Sequence, residues 1–119
     1  MPVETIPLKV LRNGEFHGAD PAYYVKEGDQ WKATTWRTYA DEVVAAGKAM
    51  IALGIEPGNV VTILGFNRPS WVISDVAAMA VAAVPAGIYT TNSPRECHYI
   101  LDHSESPLLV IEDEGQWAK

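Results

Sequence analysis

Residues 60–64 carry the pattern that most limits how this chain can fold. They read Val-Val-Thr-Ile-Leu, and such a nearly continuous run of β-branched and aliphatic residues is typical of a strand buried on both faces of a parallel sheet. Residues 108–111 predict a second strand of this kind, and residues 86–89 predict a shorter one. Helical patterns separate the strands, so the sequence predicts an α/β fold with a mostly parallel sheet covered by helices.

The first predicted helix begins at Thr38, whose side chain would cap it, with Asp41 in the place of a capping-box acid. Gly54 would end this helix in a left-handed conformation. The apolar residues recur at spacings of three and four, which lines them along one buried face: Tyr39, Val43, Ala46, Met50 and Leu53.

The second predicted helix opens at Pro69, with Asn67 or Arg68 in the capping position, and continues to Pro85. Alanine dominates this helix, so it can lie close against a sheet or another helix. Its apolar character predicts a buried core helix rather than a membrane span, because Ser74, Asp75 and Pro85 interrupt the run.

The third predicted helix has the strongest local signal in the chain. Ser93 stands as an N-cap serine, a proline follows it, and Glu96 occupies the third helical position of a capping box. Cys97 and His98 follow on this helix, but adjacent helix positions do not face each other, so the pair does not form a nucleophile with its base.

The first 36 residues predict an arm and a β-hairpin. Residues 1–20 lack sustained periodicity and contain two prolines and two glycines, which predicts an extended arm that either wraps a larger body or stays loose. Residues 22–25 and 31–36 are rich in aromatic and β-branched residues and flank a polar turn at 26–30, which is typical of a hairpin. The ordered domain is therefore expected over residues 21–119.

Composition narrows the classes of partner. The chain has 119 residues and a formal net charge of −6, which opposes binding to nucleic acid or to an anionic membrane surface. A lone cysteine and the absence of a leader-like segment favour a cytoplasmic location. Three short parallel strands leave at least one sheet edge uncovered in the isolated chain, which favours self-association or domain swapping.

Ligands of α/β sheets bind in the loops that follow the carboxyl ends of the strands. Residues 65–68 and 90–93 occupy such loops, and within the first loop Asn67 and Arg68 are candidates for contact with an anion or a substrate. Thr90 and Thr91 supply hydroxyl groups to the second loop, but no glycine run or following lysine makes it a phosphate cradle.

Other candidate sites are weaker. The three histidines and the cysteine show no metal-ligand spacing. The acidic residues Glu112, Asp113 and Glu114 are expected to lie in water near the N-terminus of a further helix rather than to bind a cation.

Several motifs resemble the early N-terminal domain of AMP-forming acyl-CoA synthetases, the adenylate-forming superfamily. The likeness runs from about residue 36 to 119. Residues 67–71 (Asn-Arg-Pro-Ser-Trp), 87–91 (Gly-Ile-Tyr-Thr-Thr) and 99–104 (Tyr-Ile-Leu-Asp-His-Ser) are most similar to the long-chain fatty acid CoA ligases. Residues 21–119 are thus identified as part of the N-terminal, AMP-binding domain.

The resemblance implies an enzyme that joins a fatty acid to AMP and then forms a thioester with coenzyme A, using ATP and magnesium. It implies that Tyr89, Thr90 and Thr91 lie on the coenzyme A side. It also implies a nucleotide-binding basic residue after the acidic turn, a position that Trp117 takes in this sequence. The partners would be fatty acid, ATP, coenzyme A and the remainder of the ligase, which would be cytoplasmic or peripheral to a membrane.

The residues that perform this chemistry in the family have no counterpart in the sequence. A Ser/Thr/Gly-rich phosphate loop with its lysine, the later aromatic and acidic motifs, and the lysine of the C-terminal lid are not found. The chain is therefore expected to be inactive alone and to bind no cofactor tightly. The alternative is a stand-alone α/β module that binds a partner or interacts with one without catalysis.

Overall fold

The computed structural model describes residues 3–119, within which the chain forms helices on both faces of a parallel sheet. The strands are β1 (Pro21–Glu27), β2 (Gln30–Thr35), β3 (Val60–Leu64), β4 (Val84–Ile88) and β5 (Leu108–Ile111). The helices are α1 (Ile6–Phe16), α2 (Trp36–Ala52), α3 (Pro69–Ala80), α4 (Pro94–Ser104) and α5 (Glu114–Trp117).

The parallel sheet has the order β4-β3-β5, so the most apolar strand lies at its centre. The chain runs from β3 to β4 through α3 and returns across β3 to β5 through α4. Val61 of β3 packs with α3, whereas Leu64 packs with α4. The two connecting helices therefore cover opposite faces, as right-handed crossovers in opposite directions require.

A buried threonine joins β3 to the start of β5 by side-chain and backbone hydrogen bonds. Thr62 is fully buried in β3, and its hydroxyl donates to the carbonyl oxygen of Leu108 at 3.2 Å. Ser106 lies just before β5, and its hydroxyl oxygen accepts from the Thr62 amide at 3.2 Å. The serine thus extends the β3–β5 pairing beyond the end of the strand and satisfies a buried backbone donor.

The predicted extended arm over residues 1–20 is wrong, because residues 6–16 form α1; Met1 and Pro2 lie outside the described residues. The Thr5 hydroxyl caps this helix by accepting from the Leu8 amide at 3.3 Å. Gly14 breaks the sequence pattern but not the helix: a Cβ there would lie 2.5 Å from the Cβ of Ala40. Glycine at this position lets α1 pack closely against α2.

The start of α2 also differs from the prediction. The helix begins at Trp36 and is capped by Thr35, whose hydroxyl oxygen accepts from the Thr38 amide at 3.2 Å. Thr38 therefore lies inside the first turn rather than capping it. The predicted buried face is correct except at Leu53, which is 70% exposed, and Gly54 adopts the predicted positive φ of 92°.

The end of α3 lies five residues earlier than the predicted stop at Pro85, because the helix finishes at Ala80. Ala82 then adopts a positive φ of 59° and turns the chain into β4, which contains Pro85. The remaining local predictions are confirmed: the β1–β2 hairpin, the strands β3 and β5, and the capping box of α4.

Candidate functional site

The two loops singled out from the sequence lie on opposite walls of one cleft at the carboxyl ends of β3 and β4. The cleft has a volume of about 580 Å³. Residues 65–67 form one wall and residues 87–91 form the other, so Asn67 shares this cleft with Tyr89, Thr90 and Thr91. Tyr89 is 80% exposed at the rim.

Trp71 of α3 forms the inner boundary of this cleft. A Cβ at Gly87 would lie 3.2 Å from the indole Cζ2, and one at Gly65 would lie 3.6 Å from the indole Cδ1. The ring therefore packs closely against β4 because residue 87 is a glycine. A Cβ at Gly65, directly after β3, would make only an ordinary contact with the indole but would lie 2.8 Å from the Glu112 Oε2. In the sequence, these residues were apparent only as members of separate motifs, and nothing indicated that they pack together.

Arg68 is held beside the cleft by Glu112, which follows β5. The Arg68 Nε lies 2.8 Å from the Glu112 Oε1, and the Phe66 amide donates to the Glu112 Oε2 at 3.1 Å. The Glu112 amide donates in turn to the carbonyl oxygen of Leu64 at 2.9 Å. One carboxylate thus connects the ends of β3 and β5 with the start of α3.

The prediction that Glu112 lies in water is wrong, since its side chain is only 11% exposed. Asp113 does lie at the N-terminus of a helix as expected, and it also caps this helix, because its Oδ1 accepts from the Gln116 amide at 2.9 Å. An anion that binds Arg68, as predicted, would compete with the Glu112 carboxylate, which already neutralises part of the charge of Arg68. The guanidinium side chain is still 63% exposed, so its remaining N–H groups can reach a ligand.

Lys119 lies beside the second wall of the cleft and was missed by the sequence analysis. Its Nζ donates to the carbonyl oxygens of Thr90 at 2.5 Å and of Asn92 at 3.2 Å. The resemblance had assigned the basic position after the acidic turn to Trp117, whose side chain is 71% exposed. In the structure, the basic side chain against the Thr90 turn is instead that of Lys119, which lies 29 residues after Thr90 in the sequence.

The start of α4 is fixed directly after this turn. The Ser93 hydroxyl accepts from the Glu96 amide at 3.3 Å, and the Ser93 amide donates to the Glu96 carboxylate at 2.7 Å. The bond from the Ser93 backbone amide, and after it the Ser93 side chain, lower the pKa of the Glu96 carboxyl below its usual value. Cys97 is a free cysteine that is buried behind them.

A second, more apolar cleft of about 630 Å³ lies between β1 and the start of α3. Tyr23 and Tyr39 meet there edge to face, with ring centroids 5.5 Å apart. Burial raises the pKa of Tyr39, and the neighbouring Tyr23 and Asp75 add to this effect. Burial also raises the pKa of Asp75.

The described residues contain neither a metal centre nor a membrane span. No three histidine, cysteine, aspartate or glutamate side chains in residues 3–119 are grouped to hold a metal ion. Within the same residues, no helix has both the length and the apolar character needed to cross a bilayer.

Comparison with known proteins identifies the family. The model of the AMP-binding enzyme family matches residues 11–119. This chain belongs to the AMP-binding enzyme family. Long-chain-fatty-acid–CoA ligase ACSBG2 of Gallus gallus is 40% identical over 113 residues, which are 95% of this chain and 14% of that protein. The ACSBG2 of Homo sapiens is 34% identical over 115 residues, covering 97% of this chain and 17% of the human protein.

Solved structures confirm the fold that the sequence predicted. The crystal structure of IdnL1 matches with a TM-score of 0.83 at 16% identity, over 93% of this chain and 23% of that chain. The anthranilate CoA ligase AuaEII, solved with anthranoyl-AMP, matches with a TM-score of 0.77 at 23% identity, over 96% of this chain and 22% of that one. This chain thus corresponds to a small part of each relative, between 13% and 18% of the ligases.

Proposed function

We propose that this chain is the N-terminal portion of a long-chain fatty acid CoA ligase. The ligase activates a fatty acid with ATP and magnesium to form an acyl-AMP, and coenzyme A then displaces AMP to give a thioester. One observation carries this proposal. The two loops at the strand ends meet in one cleft, and they do so within the residues that match the AMP-binding enzyme family, 11–119.

The role of the chain is to supply scaffold and one wall of the substrate region. Phosphoryl and acyl transfer need positioned charge at the reacting atoms. In the described part of the chain, the charged groups beside the cleft are Arg68, Glu112 and Lys119, and each of them has a partner within the chain. The isolated chain is therefore inactive and binds no cofactor tightly, and catalysis depends on the remainder of the ligase.

Tyr89, Thr90 and Thr91 form the wall on the coenzyme A side. The exposed ring of Tyr89 and the hydroxyl groups of the two threonines offer an apolar surface and hydrogen-bonding groups at the mouth of the cleft. Asn67 contacts the substrate from the opposite wall. Arg68 contacts it from beside this wall, where it lines the more apolar cleft, and uses the N–H groups that Glu112 leaves free.

The ligase is cytoplasmic, or peripheral to a membrane, and does not bind nucleic acid; the negative charge of the chain supports the last point. In the isolated chain, the uncovered edges of the parallel sheet support self-association or domain swapping.

A chimaera tests the role of the cleft. Residues 11–119 replace the matching segment of the Gallus gallus ligase, and Thr91→Ala is introduced. Loss of one hydrogen bond is worth about 0.5–1.5 kcal/mol, so the KM for coenzyme A should rise about two- to tenfold while the KM for ATP stays unchanged. Thr34→Ala in the hairpin is the matched control and should change neither value. Equal effects on both KM values, or no effect, would contradict the assignment.

A further inference from the structure

The loop of residues 65–68 borders both of the larger clefts described above. Asn67 lines the cleft at the strand ends and also the more apolar cleft beside β1. Phe66 lines the first of these clefts, and Arg68 lines the second. The conformation of this loop therefore determines where the side chains of Asn67 and Arg68 meet a substrate.

The loop is not held by a cap on the helix that follows it. Arg68 is the N-cap residue of α3, and its side chain makes no capping bond, whereas α1, α2 and α4 each begin with a side-chain cap. The Arg68 amide donates to the carbonyl oxygen of Phe66 at 2.8 Å. This bond joins the two neighbours of Asn67 to each other, but it does not attach the loop to the sheet.

Glu112 supplies that attachment from the position directly after β5. Its Oε2 accepts from the Phe66 amide at 3.1 Å, and its Oε1 lies 2.8 Å from the Arg68 Nε. The carboxylate thus holds the residue before Asn67 by its backbone and the residue after Asn67 by its side chain. Ionised acceptors make stronger hydrogen bonds than neutral ones, and water has little access to the Glu112 side chain, which is 11% exposed.

The backbone of the loop leaves room for this carboxylate. A Cβ at Gly65 would lie 2.8 Å from the Glu112 Oε2, which is closer than a real Cβ approaches another atom. Gly65 does not have the positive φ found at Gly28, Gly54 and Gly58, so backbone conformation does not require a glycine here. Its close approach to the carboxylate does. Gly65 and Glu112 are therefore matched to each other across the sheet.

We propose that Glu112 is a positioning residue for the substrate region. It fixes Asn67 and Arg68 in the places from which they contact the substrate, while its own side chain lies in a smaller cavity with Gly65 and Trp71. The bond to the Phe66 amide contributes most, because it holds the backbone that carries Asn67. A displacement of about 1 Å in an orienting group can lower a rate about a hundredfold. This inference rests on the proposed function, which supplies the substrate.

Steady-state kinetics of acyl-CoA formation by the chimaera described above test this role, with rates expressed per folded enzyme. Glu112→Ala should lower kcat/KM for the fatty acid about tenfold, because the Phe66 amide loses its acceptor. Glu112→Gln keeps an acceptor oxygen for this amide, so its loss should be less than about threefold. Glu114→Ala is the matched control, since Glu114 is a nearby exposed acid, and it should leave kcat/KM unchanged.

A background without the positioned side chains separates positioning from a general effect on folding. In a chimaera that carries both Asn67→Ala and Arg68→Ala, Glu112→Ala should lower kcat/KM by less than about twofold, because the groups that it would displace are already absent. A merely structural role predicts the same loss in both backgrounds. Equal losses in the two backgrounds would overturn the inference, as would a Glu112→Gln chimaera as impaired as Glu112→Ala.

Amide exchange in the isolated chain, followed by NMR, tests the contact without an activity measurement. Glu112→Ala should accelerate exchange of the Phe66 amide about tenfold or more, whereas Glu112→Gln should keep it within about threefold of the parent rate. The amide of residue 112 donates to the carbonyl oxygen of Leu64, so its exchange rate is the internal control in each variant. An unchanged Phe66 rate in Glu112→Ala would overturn the inference.

The two measurements distinguish a failure of this inference from a failure of the proposed function. If the parent chimaera forms acyl-CoA and Glu112→Ala is equally active, the positioning role alone is wrong. If the parent chimaera folds but forms no acyl-CoA, the proposed function is wrong, and Glu112 then positions no substrate even where the Phe66 amide exchanges as expected.

Discussion

The two faces of the parallel sheet are unequal. In the described part of the chain, eleven buried residues form the core on the face that α1, α2 and α3 cover, whereas three buried residues, Leu64, Ile88 and Cys97, lie on the face under α4. Buried apolar area is the main source of stability, so the first face should unfold only with the whole molecule. The second face can open locally, and it adjoins the loop that forms the Thr90 wall of the cleft.

The larger core depends on small residues that let its helices approach one another. Ala77 and Ala78 of α3 are fully buried, as the alanine-rich sequence predicted. Gly47 of α2 belongs to the same contact, because a Cβ at this position would lie 3.3 Å from the Val81 Cγ1. This face therefore has little room to relax when a side chain is removed.

Met50→Ala should have the largest effect. Met50 is 4% exposed in the larger core, and its truncation should cost about 3 kcal/mol in the free energy of unfolding, measured by urea denaturation. Ile51→Ala is the neighbouring control, since Ile51 is 60% exposed and should change stability by less than about 0.5 kcal/mol. Similar losses in the two variants would show that α2 does not pack as described.

Ile88→Ala tests the smaller face. Ile88 is 2% exposed, yet its truncation should cost only about 2 kcal/mol, because α4 has few neighbours and can move into the space. Amide exchange in α4 should accelerate more than exchange in α2. A loss equal to or greater than that of Met50→Ala would mean that the smaller face contributes as much stability as the larger one, which would contradict the difference between them.

Glu112→Ala should have an intermediate effect. It removes the partner of Arg68 and the acceptor of the Phe66 amide, which should cost about 1.5 kcal/mol by denaturant unfolding. Glu112→Gln keeps an acceptor oxygen for the amide and should cost less. An equal loss in both variants would mean that the charge, and not the amide bond, holds the loop.

Ser93→Ala should have the smallest effect, about 1 kcal/mol, through loss of the α4 cap. It should also raise the pKa of Glu96 part of the way toward its usual value of 4.5, because it removes the side-chain effect of Ser93 but keeps the bond from the backbone amide of residue 93. Because that pKa is lowered in the folded protein, the contribution of Glu96 is present above its usual pKa and is lost as pH falls through the lowered one. As the pH falls below 5, the variant should therefore lose less stability than the parent, as followed by circular dichroism. Equal losses of stability in the two proteins would contradict this.

The sequence predicted the elements whose signals are local. The strands β3 and β5, the hairpin and the capping box of α4 are each encoded within a few neighbouring residues. The sequence also indicated the two loops of the cleft, since strand ends of a parallel sheet meet at one edge.

The missed features depend on residues far apart in the sequence. Gly14 indicated a break because its partner, Ala40, is not apparent from local pattern. The Glu112 carboxylate contacts the Phe66 amide across 46 residues. Its acidic neighbours in the sequence predicted only that it lies in solvent. Thr35 and Thr38 both fit a helix start, and only the geometry at the end of β2 selects Thr35 as the cap.

Fatty-acid-dependent ATP–pyrophosphate exchange tests the central claim most directly, namely that this chain is one structural part of a ligase. The isolated chain should show no exchange, and the chimaera that carries residues 11–119 in the Gallus gallus ligase should show it at a rate near that of the parent ligase. Exchange by the isolated chain at such a rate, or none by a folded chimaera, would contradict the account.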